Sequence, residues 1–231
     1  MQNKMGHITE ILNKSNLDIL CVTETWLLGS DINIIRAALP KTHSLLHVPR
    51  STTGPPGGGV AVIFSVALSN IRLVHEDSVV PSFEIMEVTI NFNHHITRLA
   101  VIYRPGHPGT DRNFMDDFGL FLENFSRKSG KLLVCGDFNY WVDNPSMKPY
   151  SAEFLEQIDL NNFVNHIPHP THVSGHTLDL VLSPVDSDYI SAVDVAPIDP
   201  IVSDHALVTF SLVHSSPSSY CKTIIAELIR Q

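Results

Sequence analysis

The chain has 231 residues, 43% of them hydrophobic and 17% charged, with a formal net charge of −9. This composition excludes a disordered segment and suits one globular domain. It also excludes a protein that coats nucleic acid through an overall basic surface, because such binding draws its affinity from neutralised phosphates; a local basic rim stays compatible with it.

The opening residues contain neither the apolar stretch nor the cleavage site of a secretory signal, and no apolar run reaches bilayer length. The reading is an intracellular protein with no membrane contact. Cys21 and Cys135 lie in strand-like apolar runs, which predicts reduced thiols and no disulfide framework, with Cys221 the third cysteine.

Met5, Ile8, Ile11 and Leu12 recur at helical spacing and predict a first helix ending near Asn16. Leu17–Thr23 follows as an apolar run of strand length, buried on both faces. A second helix spans Asp31–Leu39 and stops at Pro40. Thr53–Gly59, rich in glycine and proline, is a loop before the strand Val60–Ser65. Strands are predicted at Ile71–His75, Glu84–Asn91 and Arg98–Tyr103. Asp111–Arg127 places Phe114, Phe118, Phe121, Leu122 and Phe125 on one helical face. Lys131–Gly136 is a buried strand that delivers Asp137 at its carboxyl end, and Ala152–Ile158 is helical. Leu178–Ser183, Ile190–Val195 and Ala206–Val213 complete the strands, and the tail His214–Gln231 reads as a short separate helix. Many strands with a few interleaved helices predict an α/β fold of two packed sheets with helices on their outer faces.

Five places carry chemistry-bearing side chains at strand ends, where a rigid sheet can position them. They are Glu24 after the first strand, Tyr103 before Arg104-Pro105, Asp137 and Asn139 in Gly136-Asp137-Phe138-Asn139, Asp179 in Thr177-Leu178-Asp179, and Ser203-Asp204-His205 before the last strand. Phosphodiester hydrolysis needs an aimed and deprotonated water, stabilised phosphoryl charge and a neutralised leaving oxygen. Carboxylates, an imidazole and hard oxygen ligands for a divalent ion meet those needs.

The ordered set Glu24-Thr25-Trp26, Tyr103-Arg104-Pro105, Gly136-Asp137-Phe138-Asn139, Thr177-Leu178-Asp179 and Ser203-Asp204-His205 resembles the endonuclease/exonuclease/phosphatase superfamily. Within it, Pro170-Thr171-His172 and Gly175-His176-Thr177-Leu178-Asp179-Leu180-Val181 are most similar to the apurinic-endonuclease-like domain of vertebrate non-LTR (LINE-type) retrotransposons. The resemblance implies a DNase-I-like four-layer α/β sandwich of two packed mixed sheets flanked by helices, over residues 1–213, with 214–231 a divergent tail. It implies a Mg2+-dependent endonuclease that nicks one DNA strand, with Mn2+ able to substitute, in the nucleus, beside the reverse transcriptase region of a longer element. Glu24 then holds the metal, assisted by Asp204. Asp137 activates the water, Asn139 positions it or the phosphate, and Tyr103 and His205 contact the phosphate. Asp179 orients His205, Ser203 supports the Asp-His pair, and Thr171 and Arg104 join the substrate side.

The family pattern begins with a strand ending in asparagine, ahead of the first helix. Asn3 is the nearest counterpart and sits at a helix-start position, so the domain reads as truncated at its N-terminus, with an unpaired inner edge and one orienting group fewer. Three functions stay open: a DNA endonuclease, a catalytically impaired relict or domesticated fragment, and a phosphatase of the same superfamily.

Two other patterns invite different chemistry. His166, His169, His172 and His176 suggest zinc, but Pro168, Pro170 and Gly175 oppose a helix there, and they read as loop histidines. Gly57–Gly59 is followed by a strand and contains no lysine, so it reads as a turn and not as a phosphate cradle. Trp26 and Trp141 flank the proposed site, either against substrate or in the core.

Overall fold

A computed structural model describes residues 1, 4–15, 17–50, 57–68, 70–74, 80–92, 94–106, 111–213 and 220–227, the last span as backbone. Asn3, Asn16, His75, the Thr53–Pro56 part of the glycine-proline loop and the Cys221 side chain lie outside the described residues. In chain order the elements are α1 (Met5–Ser15), β1 (Ile19–Thr23), α2 (Ile32–Ala38), β2 (His43–Val48), β3 (Val60–Ser65), β4 (Ile71–Leu73), β5 (Glu84–Phe92) and β6 (His95–Tyr103). They continue as α3 (Asp111–Ser126), β7 (Lys131–Asp137), α4 (Ser151–Leu160), β8 (Phe163–Asn165), β9 (Asp179–Pro184), β10 (Ile190–Val195), β11 (Val208–Val213) and β12 (Tyr220–Glu227).

The strands form two six-stranded sheets, ordered β10-β11-β12-β1-β3-β2 and β4-β5-β6-β7-β9-β8. Alternation along the central strands explains their unbroken apolar runs. Ile19 and Cys21, Val60 and Val62, Leu99 and Val101, and Leu133 and Cys135 fill the space between the sheets. Their neighbours Leu20, Val22, Ala61 and Ile63 pack outward against Ile8, Ile11, Leu12 and Ile35 of α1 and α2. On the other side Ala100, Ile102, Leu132 and Val134 meet the buried Phe114, Phe118, Leu122 and Phe125 of α3. A strand buried on both faces has no polar face to display, so its sequence cannot alternate. The result is the four-layer α/β sandwich expected from the motifs. Among the described residues no helix is long and apolar enough to cross a membrane.

The stripe on α3 builds a second core of aromatic rings. Phe114 and Phe118 stack at 5.2 Å, and Phe83 meets Phe114 edge-on at 5.6 Å. Cys21 and Cys135 are buried and free, and burial together with each other's proximity pushes the Cys135 thiol well above its usual range. Such thiols are inert structural groups.

Two sequence expectations are corrected. The tail is not a helix over Tyr220–Glu227: it is β12, paired antiparallel with β11 and parallel with β1. The inner edge of β1 is therefore not exposed, because β12 satisfies its backbone groups in the middle of the sheet. The short strands β2 and β8 were also not predicted; His43–Val48 carries mixed polarity, and β8 has three residues.

Candidate active site

Sheet register brings the predicted residues to one level. Tyr103 at the end of β6 pairs with Asp137 at the end of β7, and Asp137 pairs with Asp179 at the start of β9. Parallel pairing of β6 with β7 puts their carboxyl ends together, and antiparallel pairing brings the beginning of β9 to the same place. Gly136 makes this possible. Its φ is +141°, and a Cβ there would run into the Ile102 carbonyl oxygen of the neighbouring strand, so only glycine fits immediately before Asp137.

Asp137 is 1% exposed, and both of its oxygens are engaged by Asn139. The Asn139 backbone N–H donates to Oδ1 at 2.9 Å and its Nδ2 donates to Oδ2 at 2.6 Å. Nδ2 also donates to the Arg104 carbonyl at 2.9 Å, which fixes the amide orientation. Asn139 holds φ at +56°, a region most side chains avoid.

Asp179 and His205 form a second buried pair, with His205 Nδ1 and Asp179 Oδ2 2.8 Å apart. A carboxylate on Nδ1 sets the imidazole's tautomer and orientation. The pair is held from behind. Thr171 Oγ1 accepts the backbone N–H groups of Leu178 and Asp179, each at 3.0 Å, and Ser203 Oγ accepts the His205 N–H at 3.0 Å.

The third pair crosses from one sheet to the other. The Tyr103 hydroxyl donates to Glu24 Oε1, and Trp26 Nε1 donates to Glu24 Oε2 at 3.3 Å. Glu24 and Trp26 both have positive φ, at +46° and +53°. Non-glycine residues keep such angles only where surrounding contacts over-determine them. Here the glycine run supplies those contacts: Thr25 N–H donates to the Gly59 carbonyl at 3.1 Å and Trp26 N–H to the Gly58 carbonyl at 2.8 Å. Gly57–Gly59 is thus a clamp on the Glu24 turn.

These groups open on one cleft of about 270 Å3, lined by Glu24, Asp137, Asn139, Trp141, Lys148 and His205, with His172, Ser174 and Leu178 completing the wall. Asp204 lies beside it, its Oδ2 3.5 Å from His172 Nε2.

A profile of the Endonuclease/Exonuclease/phosphatase family matches residues 1–205. The chain belongs to this family. Solved structures share its fold. A 3′ phosphatase, NExo, from Neisseria, bound to product DNA hairpin, superposes with a TM-score of 0.69 at 13% identity, over 92% of this chain and 95% of its own. The AP endonuclease LMAP of Leishmania major gives 0.69 at 14% identity, over 89% and 81%. The endonuclease domain of TRAS1, a telomere-specific non-LTR retrotransposon, gives 0.66 at 13% identity, over 89% of each chain. No curated protein matches the chain in sequence.

For this family member, two residues expected on the substrate side, Arg104 and Thr171, are buried and are not among the residues that line the cleft. Arg104 is 2% exposed: its guanidinium donates to Asp111 Oδ1 at 2.6 Å and lies 4.0 Å from the Tyr140 ring centroid. It ties the loop after β6 to α3 and does not line the cleft. Thr171 is fully buried beneath Asp179 and does not face outward. Both are supports, and a buried arginine-carboxylate pair over an aromatic ring looks the same in sequence as an exposed one.

Several site residues were not assigned a role from sequence. Lys148 reaches back from the loop before α4 to donate to the Asn139 carbonyl; burial, with Arg104 nearby, lowers its pKa. Trp141 stacks on His176 with centroids 3.7 Å apart, and His176 Nδ1 meets Asp143 Oδ2 at 3.0 Å. Trp26 is 52% exposed beside the cleft, so neither tryptophan is a core residue. In sequence His172 stands among four loop histidines and in the Pro170-Thr171-His172 motif, with no role assigned to it. Burial and the neighbouring His205 hold it below the usual imidazole range.

His47, on β2, accepts or donates a 2.8 Å bond with Thr25 Oγ1 and so braces the Glu24 turn. Burial, with a smaller effect from Arg36, lowers its pKa from 6.5 to about 4. Because the folded pKa lies below the unfolded one, the unfolded chain binds more protons between these values. The contribution of neutral His47 to stability is complete above pH 6.5 and is lost as pH falls towards 4. Urea midpoints should fall across this window in the wild type and fall less in His47→Gln. Equal slopes in both proteins would show that His47 is not a linked group.

Proposed function

We propose that this protein is a divalent-metal-dependent phosphodiesterase that nicks one strand of duplex DNA, as the target-nicking domain of a non-LTR retrotransposon. One observation carries the reading: the pairs Tyr103–Glu24, Asn139–Asp137 and His205–Asp179 converge on a single cleft. That the fold relative NExo is seen with product DNA supports DNA as the substrate, and the fold shared with the TRAS1 endonuclease domain supports the retrotransposon assignment.

Asp137 accepts a proton from the attacking water, whose oxygen forms the new bond to phosphorus as the bond to the 3′ oxygen breaks. Asn139 holds Asp137 in place from both oxygens and presents its own amide edge to the same cleft. His205, oriented by Asp179, donates to a phosphoryl oxygen and stabilises the charge that develops there. The Tyr103 hydroxyl fixes the Glu24 carboxylate and borders the phosphate position. The products are a 5′ phosphate and a 3′ hydroxyl, the latter suited to prime the reverse transcriptase of a longer element.

The residues present fit a divalent ion. Glu24 and Asp204 are hard oxygen donors, and among the described residues neither is paired with a lysine or arginine. Mg2+, or Mn2+ in its place, held by Glu24 with Asp204 assisting, would neutralise charge on the phosphoryl and leaving oxygens.

Incubation with supercoiled plasmid and Mg2+ tests the reading. The wild type should yield open circles, with the product lost on chelation and in Asp204→Ala. A 3′-phosphorylated oligonucleotide run in parallel separates the endonuclease from a phosphatase of the same fold. Phosphate release without nicking would transfer the assignment to the latter, and inertness on both substrates would overturn it.

A further inference from the structure

Nine residues line the catalytic cleft, and Lys148 is the one lysine or arginine among them. Its backbone is fixed from behind. Pro149 follows it and disfavours a helical conformation at position 148. The buried Ser151 donates its N–H to the Lys148 carbonyl at 3.3 Å, and Ser151 Oγ accepts the Trp141 N–H at 3.1 Å. At the cleft, Lys148 Nζ donates to the Asn139 carbonyl and lies 5.7 Å from the Trp141 ring centroid.

Among the described residues no carboxylate is paired with this ammonium. The largely covered cations Arg50, Arg98, Arg104 and Lys128 each meet a glutamate or an aspartate. Lys4, Lys131 and Lys148 instead hydrogen-bond to carbonyls, and of these three Lys148 lines the cleft. A half-buried cation without a paired anion is costly, because burial strips its water and a neutral carbonyl returns less than a charged oxygen. Burial and Arg104 act against the Lys148 charge, while Asp137 and Asp111 favour it. An ammonium has three N–H donors, and one of them is on Asn139. The cleft also has need of a cation. Glu24 and Asp137 line it and the chain carries a net charge of −9, so an approaching phosphodiester meets repulsion.

We propose that Lys148 is the phosphate-binding cation of the cleft: one N–H of its ammonium holds the Asn139 carbonyl, and another donates to an oxygen of a DNA backbone phosphate. The substrate supplies the negative partner that the neighbouring side chains do not. Asn139 in turn grips both oxygens of Asp137, so one side chain links phosphate binding to the alignment of the general base. Lysine meets phosphate as a point charge and arginine meets it as a fork, so arginine at 148 keeps the contact. The inference deepens the proposed DNA-cleaving reading and rests on it for the identity of the ligand.

The test follows the anisotropy of a labelled DNA duplex titrated with the full-length chain in chelator, so that binding is read without cleavage, over a series of KCl concentrations. Lys148→Gln should lower affinity about 10-fold through the loss of one charge-assisted hydrogen bond. It should also reduce the slope of log affinity against log salt by about 0.9, the signature of one phosphate contact. Lys148→Arg should recover both, and Lys148→Met serves as a second neutral variant. In plasmid nicking with Mg2+, KM for DNA should rise in the neutral variants. Circular dichroism on each variant separates a lost contact from a lost fold. A lysine that only ties down Asn139 would leave the salt slope unchanged. That unchanged slope in a folded neutral variant, or a loss that Lys148→Arg does not recover, would overturn the proposal while persistent nicking kept the nuclease reading. A wild type that binds duplex and shows the slope change in Lys148→Gln but never nicks would refute the nuclease reading and leave the phosphate contact standing. A wild type that binds no duplex would overturn the contact and, if it also fails to nick, the nuclease reading with it.

Discussion

Asp137→Asn is expected to lower the rate of plasmid nicking by about 10³-fold, within the roughly 10²–10⁴-fold that a positioned general base contributes. The substitution keeps the shape of the side chain and removes the proton acceptor. Asn139 donates to both oxygens of Asp137, so an amide at 137 must turn one of those contacts into an N–H facing an N–H. Part of the loss therefore comes from disturbed positioning, which Asn139→Ala should show separately. If Asp137 acts in the transition state, kcat falls and KM for DNA changes little. Loss confined to KM would mean that Asp137 binds substrate without activating water, and unchanged kcat would remove it from the chemistry. Far-UV circular dichroism should be the same in both proteins, because Asp137 ends β7 and the core between the sheets lies below it.

Deleting residues 220–231 is expected to lower the thermal midpoint by about 10–20 °C. β12 lies inside its sheet, with Ile19–Thr23 in register with Thr223–Glu227 on one side and Val208–Val213 in register with Ile225–Tyr220 on the other. Its loss leaves two strand edges unpaired and opens the layer beneath them. Each lost backbone bond contributes about 1 kcal/mol net, so a loss on the order of 5 kcal/mol is reasonable. In a protein of this size each kcal/mol moves the midpoint by about 2–4 °C. Hydrogen exchange gives the local readout: the amides of Leu20 and Val22 should lose protection in the deletion. Glu24 follows β1 directly, so nicking should decline along with that protection. A midpoint and exchange pattern identical to the wild type would mean that β12 contributes no pairing to β1.

The tail shows why some of the fold was not legible. Its residues Thr223, Ile224 and Ile225 are β-branched and favour a strand, and the sequence Ser215-Ser216-Pro217-Ser218-Ser219 ahead of them is a turn signal, but no alternation marks them as one. What makes them β12 is a gap between β1 and β11 that exists only once the sheet has assembled. β2 has the same character, since His43–Val48 becomes a strand by pairing along β3. In contrast, the strands Val60–Ser65 and Lys131–Asp137 and the aromatic stripe of α3 were legible, because burial on both faces or at helical spacing leaves a periodic record.

The candidate site divides in a similar way. Strand-end carboxylates and the ordered motifs around Glu24, Asp137, Asp179 and Asp204 were readable, since each is a local pattern next to an apolar run. The roles of Arg104 and Thr171 were not. Whether a polar residue faces the cleft or supports it from below depends on which element covers it, and α3 covers Arg104 while β9 covers Thr171. His47 and His172 come from segments distant in sequence from the groups they serve, and Lys148 folds back nine residues to Asn139 through a loop; no spacing rule links them.

By itself, then, the sequence determined the family, the two-sheet sandwich and the set of acids, amide and imidazole that meets the demands of phosphoryl chemistry. Those features follow from local periodicity and from residues fixed at strand ends. Only the tertiary structure decided that β12 fills the sheet, that Gly57–Gly59 clamps the strained Glu24 turn, and that His172 stands beside Asp204 and His205. Each depends on long-range pairing, where the partner's position is set by the packing of whole sheets and not by the residues on either side.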